Sequence, residues 1–325
     1  MPSAIASEAK APRDEGPWPG PALETLGREL RALGYRFITP TPATQARVNA
    51  RPHNAWARGV ADVFGWSRPF KSGMLESSLF ERAREADVLV AEGDGAWRAT
   101  LRASTLGDAL FFHSAHPTTA ADAVFFGPDT YRFDAAIRDH LRRGGAVRRA
   151  LDIGCGAGPG AVRIALERPG AEVIGIDIND TALRLTTVNA RLAGAAGLTA
   201  RHSDLYDRVE GLFDLIVANP PYLLDSRERA YRHGGGSLGE GLSLAIAREA
   251  AAHLAPGGTL LLYTGSAIVD GEDRLRACLA RELMPELDWH YREVDPDVFG
   301  EELLEPAYAE ADRIAAVVLT ARRRE

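Results

Sequence analysis

Apolar residues recur at helical spacing near the start of the chain. One face of an amphipathic helix is predicted by leucines three or four positions apart: Leu23, Leu26, Leu30 and Leu33. The pattern next predicts two more helices and then short strands, in the order 56–66, 75–86, 88–90, 97–101 and 109–113. Helices followed by hairpin strands favour an α+β, winged-helix-like domain over residues 21–120. We expect this domain to recognise the substrate or to cover the catalytic part.

From about Arg148, apolar runs and helical stretches alternate, which is typical of a parallel sheet in an α/β domain. Strands are predicted at 150–153, 173–178, 198–202, 215–218 and 260–263. Helices are predicted between and after them, at 161–168, 181–192, 242–254 and 274–283. Two final extended segments, 289–294 and 314–319, predict a closing antiparallel hairpin. We therefore expect a second, α/β domain over residues 121–325.

Composition places the chain among globular proteins with a proper core. It is 46% hydrophobic and 26% charged, and no run of apolar residues is long enough to span a bilayer. Residues 1–20 are rich in proline and charge, so we expect a disordered tail. Because this segment lacks the apolar run of a signal peptide, we expect a cytoplasmic protein whose two cysteines, Cys155 and Cys278, are reduced thiols.

The charge is unevenly distributed between the two predicted domains. Residues 1–150 carry a net charge of +3 and residues 151–325 a net charge of -10. An acidic half attracts a phosphate backbone poorly, so the charge favours a cationic, small or protein substrate over a nucleic acid. If they border the pocket, carboxylates in the predicted loops would support a small nitrogenous substrate: Asp225, Glu228, Glu240, Glu301 and Glu302. Exposed carboxylates of this kind more often form only a solvated surface.

A glycine-rich turn follows the first predicted strand of the α/β domain and opens a helix. Gly154, Gly156 and Gly158 alternate along it, which lets the backbone turn sharply and approach a ligand above a helix N-terminus. Nicotinamide and flavin proteins use similar turns, so the glycines alone do not identify the ligand. Asp152 stands just before them, and its carboxylate would repel a pyrophosphate but suits a cofactor that carries an ammonium group.

Acidic residues end the next two predicted strands. Asp177 closes one strand and precedes Ile178, and a carboxylate there can accept hydrogen bonds from both ribose hydroxyls of a nucleoside cofactor. Asp204 closes the following strand and precedes Leu205. Each aspartate alone equally fits a strand-end turn or a helix cap. In order behind the glycine turn, they favour a cofactor site.

The tetrapeptide Asn219-Pro220-Pro221-Tyr222 directly follows the predicted buried strand 215–218. A conjugated nitrogen is a poor nucleophile, and two acceptors that hold its N–H bonds can orient it. The Asn219 side-chain oxygen and the Pro220 carbonyl can be those acceptors, fixed in place by two consecutive prolines. Tyr222 can stack on the planar group and exclude water. The alternative, a rigid turn, explains the tetrapeptide only when it is considered apart from the preceding motifs.

These motifs together resemble the class I S-adenosylmethionine-dependent methyltransferases, and residues 124–319 resemble the group that contains the release-factor glutamine methyltransferases. The resemblance implies a Rossmann-like fold with S-adenosyl-L-methionine as cofactor. It implies that Asp177 holds the ribose and that Asp204 holds the adenine amino group. It also places the Gly127–Tyr131 segment, including Thr130, over the methionine end of the cofactor. The alternative for Asp129 or Thr130 is an N-cap.

Two substrate hypotheses remain open for the expected N-methyltransferase. The acceptor is the planar nitrogen of a protein glutamine or of a small metabolite; the alternative is an exocyclic amino group of an RNA or DNA base. The N-terminal third does not resemble the substrate domain of the release-factor enzymes, so the resemblance does not identify the acceptor. A non-catalytic binding module is disfavoured by the intact tetrapeptide. We expect no metal site, because His113 and His116 have no companion ligands in a suitable pattern.

Overall fold

The first helix begins within the segment that is predicted to be a disordered tail. The computed structural model describes residues 18–225, 229, 231–283, 285 and 287–325, so most of the predicted tail lies outside the described residues. The prediction is wrong for residues 18–20. The Trp18 indole Nε1 donates a hydrogen bond to Thr100 Oγ1 at 3.2 Å, and the first helix begins at Gly20.

The N-terminal part is α+β, as predicted. Its elements are α1 (Gly20–Ala32), α2 (Pro42–Asn49), α3 (Val60–Phe64), β1 (Phe70–Lys71), α4 (Ser77–Glu85), β2 (Leu89–Ala91), β3 (Ala96–Ala99), β4 (Leu101–Leu106) and β5 (Ala109–Ser114). Strand β3 pairs antiparallel with both β1 and β2, and β4 pairs antiparallel with β5. Helix α4 packs on the sheet of β1, β2 and β3, because the Phe80 ring lies edge-to-face against Phe70 of β1 and against Trp97 of β3.

Two helical predictions in this part need correction, and one helix was not predicted. Leu33 lies past the end of α1 and is 54% exposed, whereas the other three leucines of the stripe are buried. The helix predicted at 56–66 is only the five-residue α3, which lies between Gly59 and Gly65. Helix α2 escaped prediction because it has no apolar stripe; Thr41 Oγ1 caps it by accepting from the Thr44 N–H at 3.2 Å.

The second part is a Rossmann-like α/β sheet with a closing antiparallel hairpin, which confirms the predicted fold class. Its elements are α5 (Pro128–Arg142), β6 (Arg149–Ile153), α6 (Pro159–Glu167), β7 (Glu172–Asp177), α7 (Asp180–Ala193), β8 (Leu198–His202), β9 (Phe213–Ala218), α8 (Gly241–His253), β10 (Leu254–Val269), β11 (Glu272–Asp273), α9 (Arg274–Glu282), β12 (Leu287–Asp295) and β13 (Arg313–Arg323). Across the sheet the strands run β12-β13-β10-β9-β6-β7-β8.

The parallel strands bring their carboxyl ends to one edge. Five adjacent strands run parallel to one another: β8, β7, β6, β9 and β10. Strand β13 is antiparallel to both β10 and β12. The central strands are buried on both faces by helices, which is why they appear as apolar runs in the sequence. Strand β10 is longer than predicted because its pairing with β13 continues beyond its parallel partner β9. No helix in the part of the chain that the structure describes is long and apolar enough to cross a bilayer.

The N-terminal part packs on helix α7 through a shared apolar core and one buried amide. Leu26, Phe112 and Leu192 belong to the same core cluster. The Asn189 side chain accepts from the Phe112 N–H at 2.8 Å and donates to the Phe112 carbonyl at 3.0 Å and the Ala157 carbonyl at 2.8 Å. It therefore joins β5 to the glycine-rich turn. The exact domain boundary at residue 120 stays a prediction.

We expect Asn189→Ala to lower the free energy of unfolding by roughly 2–4 kcal/mol, because it leaves buried backbone groups without partners. Urea unfolding measures the change. Arg191→Ala is the matched control on the same helix, since Arg191 makes only an exposed ion pair with Glu24 of α1 at 3.1 Å. We expect the control to cost below about 1 kcal/mol. Equal losses in both variants would contradict the role given to the buried amide.

Candidate active site

A cavity of about 420 Å³ opens at the carboxyl ends of strands β6, β7 and β9, a volume ordinary for small-molecule sites. Its wall contains nearly all of the site residues predicted from the sequence: Thr130, Asp152, Gly154, Gly156, Asp177, Ile178, Asp204, Leu205, Asn219, Pro220 and Tyr222. Gly158 is the exception. The structure therefore brings the predicted residues together, while their individual roles toward a ligand stay predictions.

The three glycines of the turn have positive φ angles and different surroundings. A Cβ added at Gly154 meets no atom within 4 Å, so the backbone there faces open space in which a ligand can lie. A Cβ at Gly158 would lie 3.0 Å from the Thr186 side chain. Gly158 consequently serves the packing of α6 against α7, not the lining of the cavity.

Asp152 is buried beneath this turn. Its Oδ2 accepts a hydrogen bond from the Ala161 N–H at 2.7 Å, in the first turn of α6. Burial raises the pKa of Asp152 to about 7, and the nearby charge of Asp177 adds to the shift. The carboxylate thus caps α6 and also borders the cavity. Its predicted contact with an ammonium group stays a prediction.

Asp177 is held against the glycine turn by backbone donors. Its Oδ2 accepts from the Gly156 N–H at 2.9 Å and its Oδ1 accepts from the Asn179 N–H at 2.9 Å. Burial raises the pKa of Asp177, and these hydrogen bonds oppose that rise. Beside it, Ile178 is 50% exposed and presents an apolar side chain to the cavity. A fixed carboxylate next to an apolar surface suits a ribose and an attached flat base.

The Asn-Pro-Pro-Tyr segment follows β9, which pairs with β6, so it lies at the same carboxyl edge of the sheet as the glycine turn. Asn219 is partly exposed to the cavity, and the described residues provide no hydrogen-bond partner for its side-chain amide. Tyr222 is buried, and its hydroxyl donates to Asp129 Oδ2 at 2.6 Å. The tyrosine ring packs edge-to-face against Phe299 at a centroid distance of 6.0 Å. The amide is available to a ligand, and the tyrosine is held in place.

Asp129 organises this side of the cavity in a way that the sequence did not reveal. Besides the Tyr222 hydroxyl, the Tyr263 hydroxyl donates to Asp129 Oδ1 at 2.7 Å, and Arg132 Nη1 donates to the same oxygen at 3.2 Å. Burial raises the pKa of Asp129, and these donors oppose that rise. Thr130 forms a capping box, since its Oγ1 accepts from the Gly127 N–H at 3.2 Å. The cap alternative for Thr130 therefore agrees with the geometry.

Strand β10 leaves room for the tyrosine ring. A Cβ added at Gly265 would lie 2.1 Å from the ring of Tyr222, closer than any side chain tolerates. The glycine is therefore required by close packing and not by its backbone conformation. Nothing in the sequence around Gly265 signals this contact, because its partner lies on a different element.

The described acidic residues of the loops do not line the cavity. Asp225 pairs with Arg229 at 2.5 Å, Glu302 pairs with Arg232, and Glu240 accepts from the Ser237 hydroxyl within its own turn. The remaining described member of the set, Glu301, is also absent from the cavity wall, and Glu228 lies outside the described residues. Arg229 and Arg232 line the wall instead, because Asp225 and Glu302 pair with them, and Glu240 accepts from backbone donors of its own turn.

The histidine and cysteine near the site are buried structural groups. His113 stacks on Phe126 at a centroid distance of 4.9 Å, and its Nε2 is 2.7 Å from Ser104 Oγ. Cys155 lies in the glycine turn, where burial raises the pKa of its thiol. Both side chains therefore pack within the fold.

Comparisons with known proteins relate the second part of the chain to methyltransferases. Residues 135–279 match the family model of the methyltransferase small domain. A 4-amino-L-phenylalanine/4-methylamino-L-phenylalanine methyltransferase of Streptomyces pristinaespiralis is 37% identical over 142 residues, covering 41% of this chain and 49% of the relative. Release factor glutamine methyltransferases are also similar. That of Cereibacter sphaeroides is 41% identical, covering 36% and 46% of the two chains, and that of Deinococcus radiodurans is 36% identical, covering 57% and 66%. The chain spans about half the length of the first of these relatives.

We expect the stability of the protein to depend on pH through Asp152. Its raised pKa means that the folded protein keeps a proton that the unfolded chain releases above about pH 4. The contribution of Asp152 to the free energy of unfolding is therefore largest below about pH 4, and it is lost as the pH rises to about 7. Asp152→Asn keeps an acceptor for the Ala161 N–H without this titration.

Chemical unfolding of both proteins between pH 4 and pH 8 measures the effect. The unfolding free energy of the wild type relative to Asp152→Asn should fall by roughly 2–4 kcal/mol across that range. A difference that stays constant with pH would contradict the assignment.

Proposed function

We propose, on the premise that residues 135–279 of this chain are a methyltransferase small domain, that the chain is an S-adenosylmethionine-dependent N-methyltransferase acting on a planar nitrogen. One observation carries the proposal. The glycine turn and Asp177 lie in the same cavity as Asn219 and Pro220, at the shared carboxyl edge of three parallel strands. A cofactor bound at the first group of residues would lie next to a nitrogen held by the second group.

The residues present fit the cofactor. The open space beside Gly154 leaves room for the cofactor to lie against the backbone of the glycine turn. Asp177 can accept hydrogen bonds from the ribose hydroxyls, and Ile178 offers an apolar face for the base. Asp204 and Leu205 line the next strand end, where they would bound the adenine. When bound, S-adenosyl-L-methionine supplies an electrophilic methyl group on a sulfonium. The protein's task is to present the acceptor nitrogen in line with it.

Asn219 and Pro220 perform that task in the proposed mechanism. The Asn219 side-chain oxygen and the Pro220 carbonyl accept the acceptor's N–H bonds, which directs the nitrogen lone pair toward the methyl group. Alignment of this kind contributes on the order of 7–11 kcal/mol in well-oriented reactions. We assign no general base, because the Tyr222 hydroxyl already donates to Asp129 and the proton can leave after transfer. The Tyr222 ring bounds the acceptor pocket and excludes water.

The acceptor is proposed to be a protein glutamine or a small nitrogenous molecule. One relative is named for the glutamine of a release factor, and another is named for an amino acid that carries an aryl amine. The nitrogens of both groups are planar and conjugated. The alternative acceptor, a base of RNA or DNA, is disfavoured by the net charge of -10 over residues 151–325.

Asp177→Ala tests the cofactor site. Because charge-assisted hydrogen bonds contribute roughly 1.5–3 kcal/mol, we expect the variant to bind S-adenosylmethionine roughly 10- to 100-fold more weakly than the wild type by calorimetry. Asp180→Ala is the matched control, since Asp180 opens the next helix and its exposed carboxylate is 3.1 Å from His202 Nδ1. Equal affinity of the wild type and Asp177→Ala would refute the cofactor assignment.

Asn219→Ala tests the transfer step. We expect it to lose most methyl transfer, because one of the two acceptors that orient the nitrogen is removed, and to retain the wild-type affinity for S-adenosylmethionine. Transfer is measured with labelled cofactor and separate pools of protein, nucleic acid and small metabolites. Undiminished transfer would refute the role of Asn219. Label that enters only the nucleic-acid pool would establish the alternative acceptor.

A further inference from the structure

A buried arginine of the N-terminal part lines the proposed active-site cavity. Arg102 lies on β4 and is 6% exposed, yet it forms part of the same cavity wall as Asn219 and Asp177. His116 and Pro40, which come from two other segments of the N-terminal part, lie on the same wall. The N-terminal part thus contributes a charged group to the cavity as well as covering it.

The partners of Arg102 are neutral. Its Nε donates to the Ser114 carbonyl at 3.4 Å, and its Nη1 donates to Gln45 Oε1. Among the described residues, no carboxylate lies within ion-pair distance of the guanidinium, and Nη2 has no acceptor. The buried Arg68 and the part-buried Arg163 differ in this respect. Arg68, also in the N-terminal part, pairs with Asp62 at 2.5 Å, and Arg163 pairs with Asp134 at 2.5 Å.

A buried cation without an anion is energetically costly, so it calls for a compensating group. Burial lowers the pKa of Arg102 to about 10, which still leaves the guanidinium charged at neutral pH. Gln45 and the Ser114 carbonyl supply dipoles but no negative charge. Among the described residues Nη2 has no acceptor, and a guanidinium nitrogen of this kind at a cavity wall can donate charge-assisted hydrogen bonds to a carboxylate.

Among the described arginines that line the cavity, Arg102 is the one that has no carboxylate partner. Arg229 and Arg232 also line the cavity, but they pair with Asp225 and Glu302. The pKa of His116 is lowered by burial and by the charge of Arg102, which favours the neutral imidazole. A ligand that brings one negative charge to this wall would neutralise it.

We propose that Arg102 binds the carboxylate of an α-amino acid ligand inside the cavity. The inference rests on the proposed function, which supplies two ligands with this chemistry. One is the methionine end of the cofactor, and the other is an amino acid whose side chain carries the methyl-accepting nitrogen. A glutamine within a protein chain has no such carboxylate.

The test compares ligands that differ only in their carboxylate, in the wild type and in Arg102→Met. The cofactor pair is S-adenosylmethionine and decarboxylated S-adenosylmethionine, with affinity measured by calorimetry. The acceptor pair is 4-aminophenylalanine and its decarboxylated amine, with kcat/KM measured from labelled methyl transfer. Arg68→Met is the matched control, because it removes another buried arginine of the N-terminal part that lies outside the cavity.

We expect Arg102→Met to lose roughly 10- to 100-fold of the preference for the carboxylate in one of the two pairs. The pair that responds identifies the ligand. Arg68→Met should keep both preferences, and thermal unfolding confirms that both variants are folded. If Arg102→Met does not fold, Arg102→Lys replaces it, since it keeps the charge but loses the paired donors and should lose part of the preference.

Unchanged preferences in both pairs, or an equal loss for both members of a pair, would overturn the inference. That outcome differs from failure of the proposed function, in which the wild type itself would not bind S-adenosylmethionine. Wild-type cofactor binding with unchanged preferences in the variant would therefore refute the role of Arg102 alone.

Discussion

The buried carboxylate of Asp129 is the interaction on which the acceptor side of the cavity depends. It accepts hydrogen bonds from Tyr222, Tyr263 and Arg132, which lie on three different elements. Helix α5, strand β10 and the segment after β9 can each pack on an apolar core in more than one way. A shared buried anion allows only the arrangement that satisfies all of its donors, because any other leaves charge without compensation. Asn219 belongs to the same segment as Tyr222, which this carboxylate anchors.

The parts of the site that could be predicted are those set by local pattern and by the geometry of parallel sheets. Gly154, Asp177 and Asn219 each follow an apolar run, and the carboxyl ends of parallel strands share an edge. Their proximity therefore required no knowledge of side-chain packing. The same reasoning located the closing hairpin. It was wrong at Leu33 because helical spacing continues in the sequence for one residue after the backbone has left the helix.

Contacts between distant segments could not be predicted. Tyr222 and Asp129 are 93 positions apart, and nothing local in either segment names the other. Arg102 sits in a strand whose residues are buried on both faces, so alternation could not indicate which face meets the cavity. The charge at the cavity wall could not be predicted for a related reason. The acidic excess of the second part is real, but its loop carboxylates are turned toward Arg229 and Arg232, and the local charge at the wall differs from the regional sum.

The contact between Gly265 and the Tyr222 ring has a consequence for how this enzyme can change over evolutionary time. Any side chain at position 265 would occupy space that the ring already fills. A larger residue there becomes acceptable only after the aromatic residue has been replaced by a smaller one, so the order of the two substitutions is fixed. In a lineage that exchanges both, the first step removes an aromatic side chain from the cavity wall. The glycine thereby preserves the shape of the cavity without lining it.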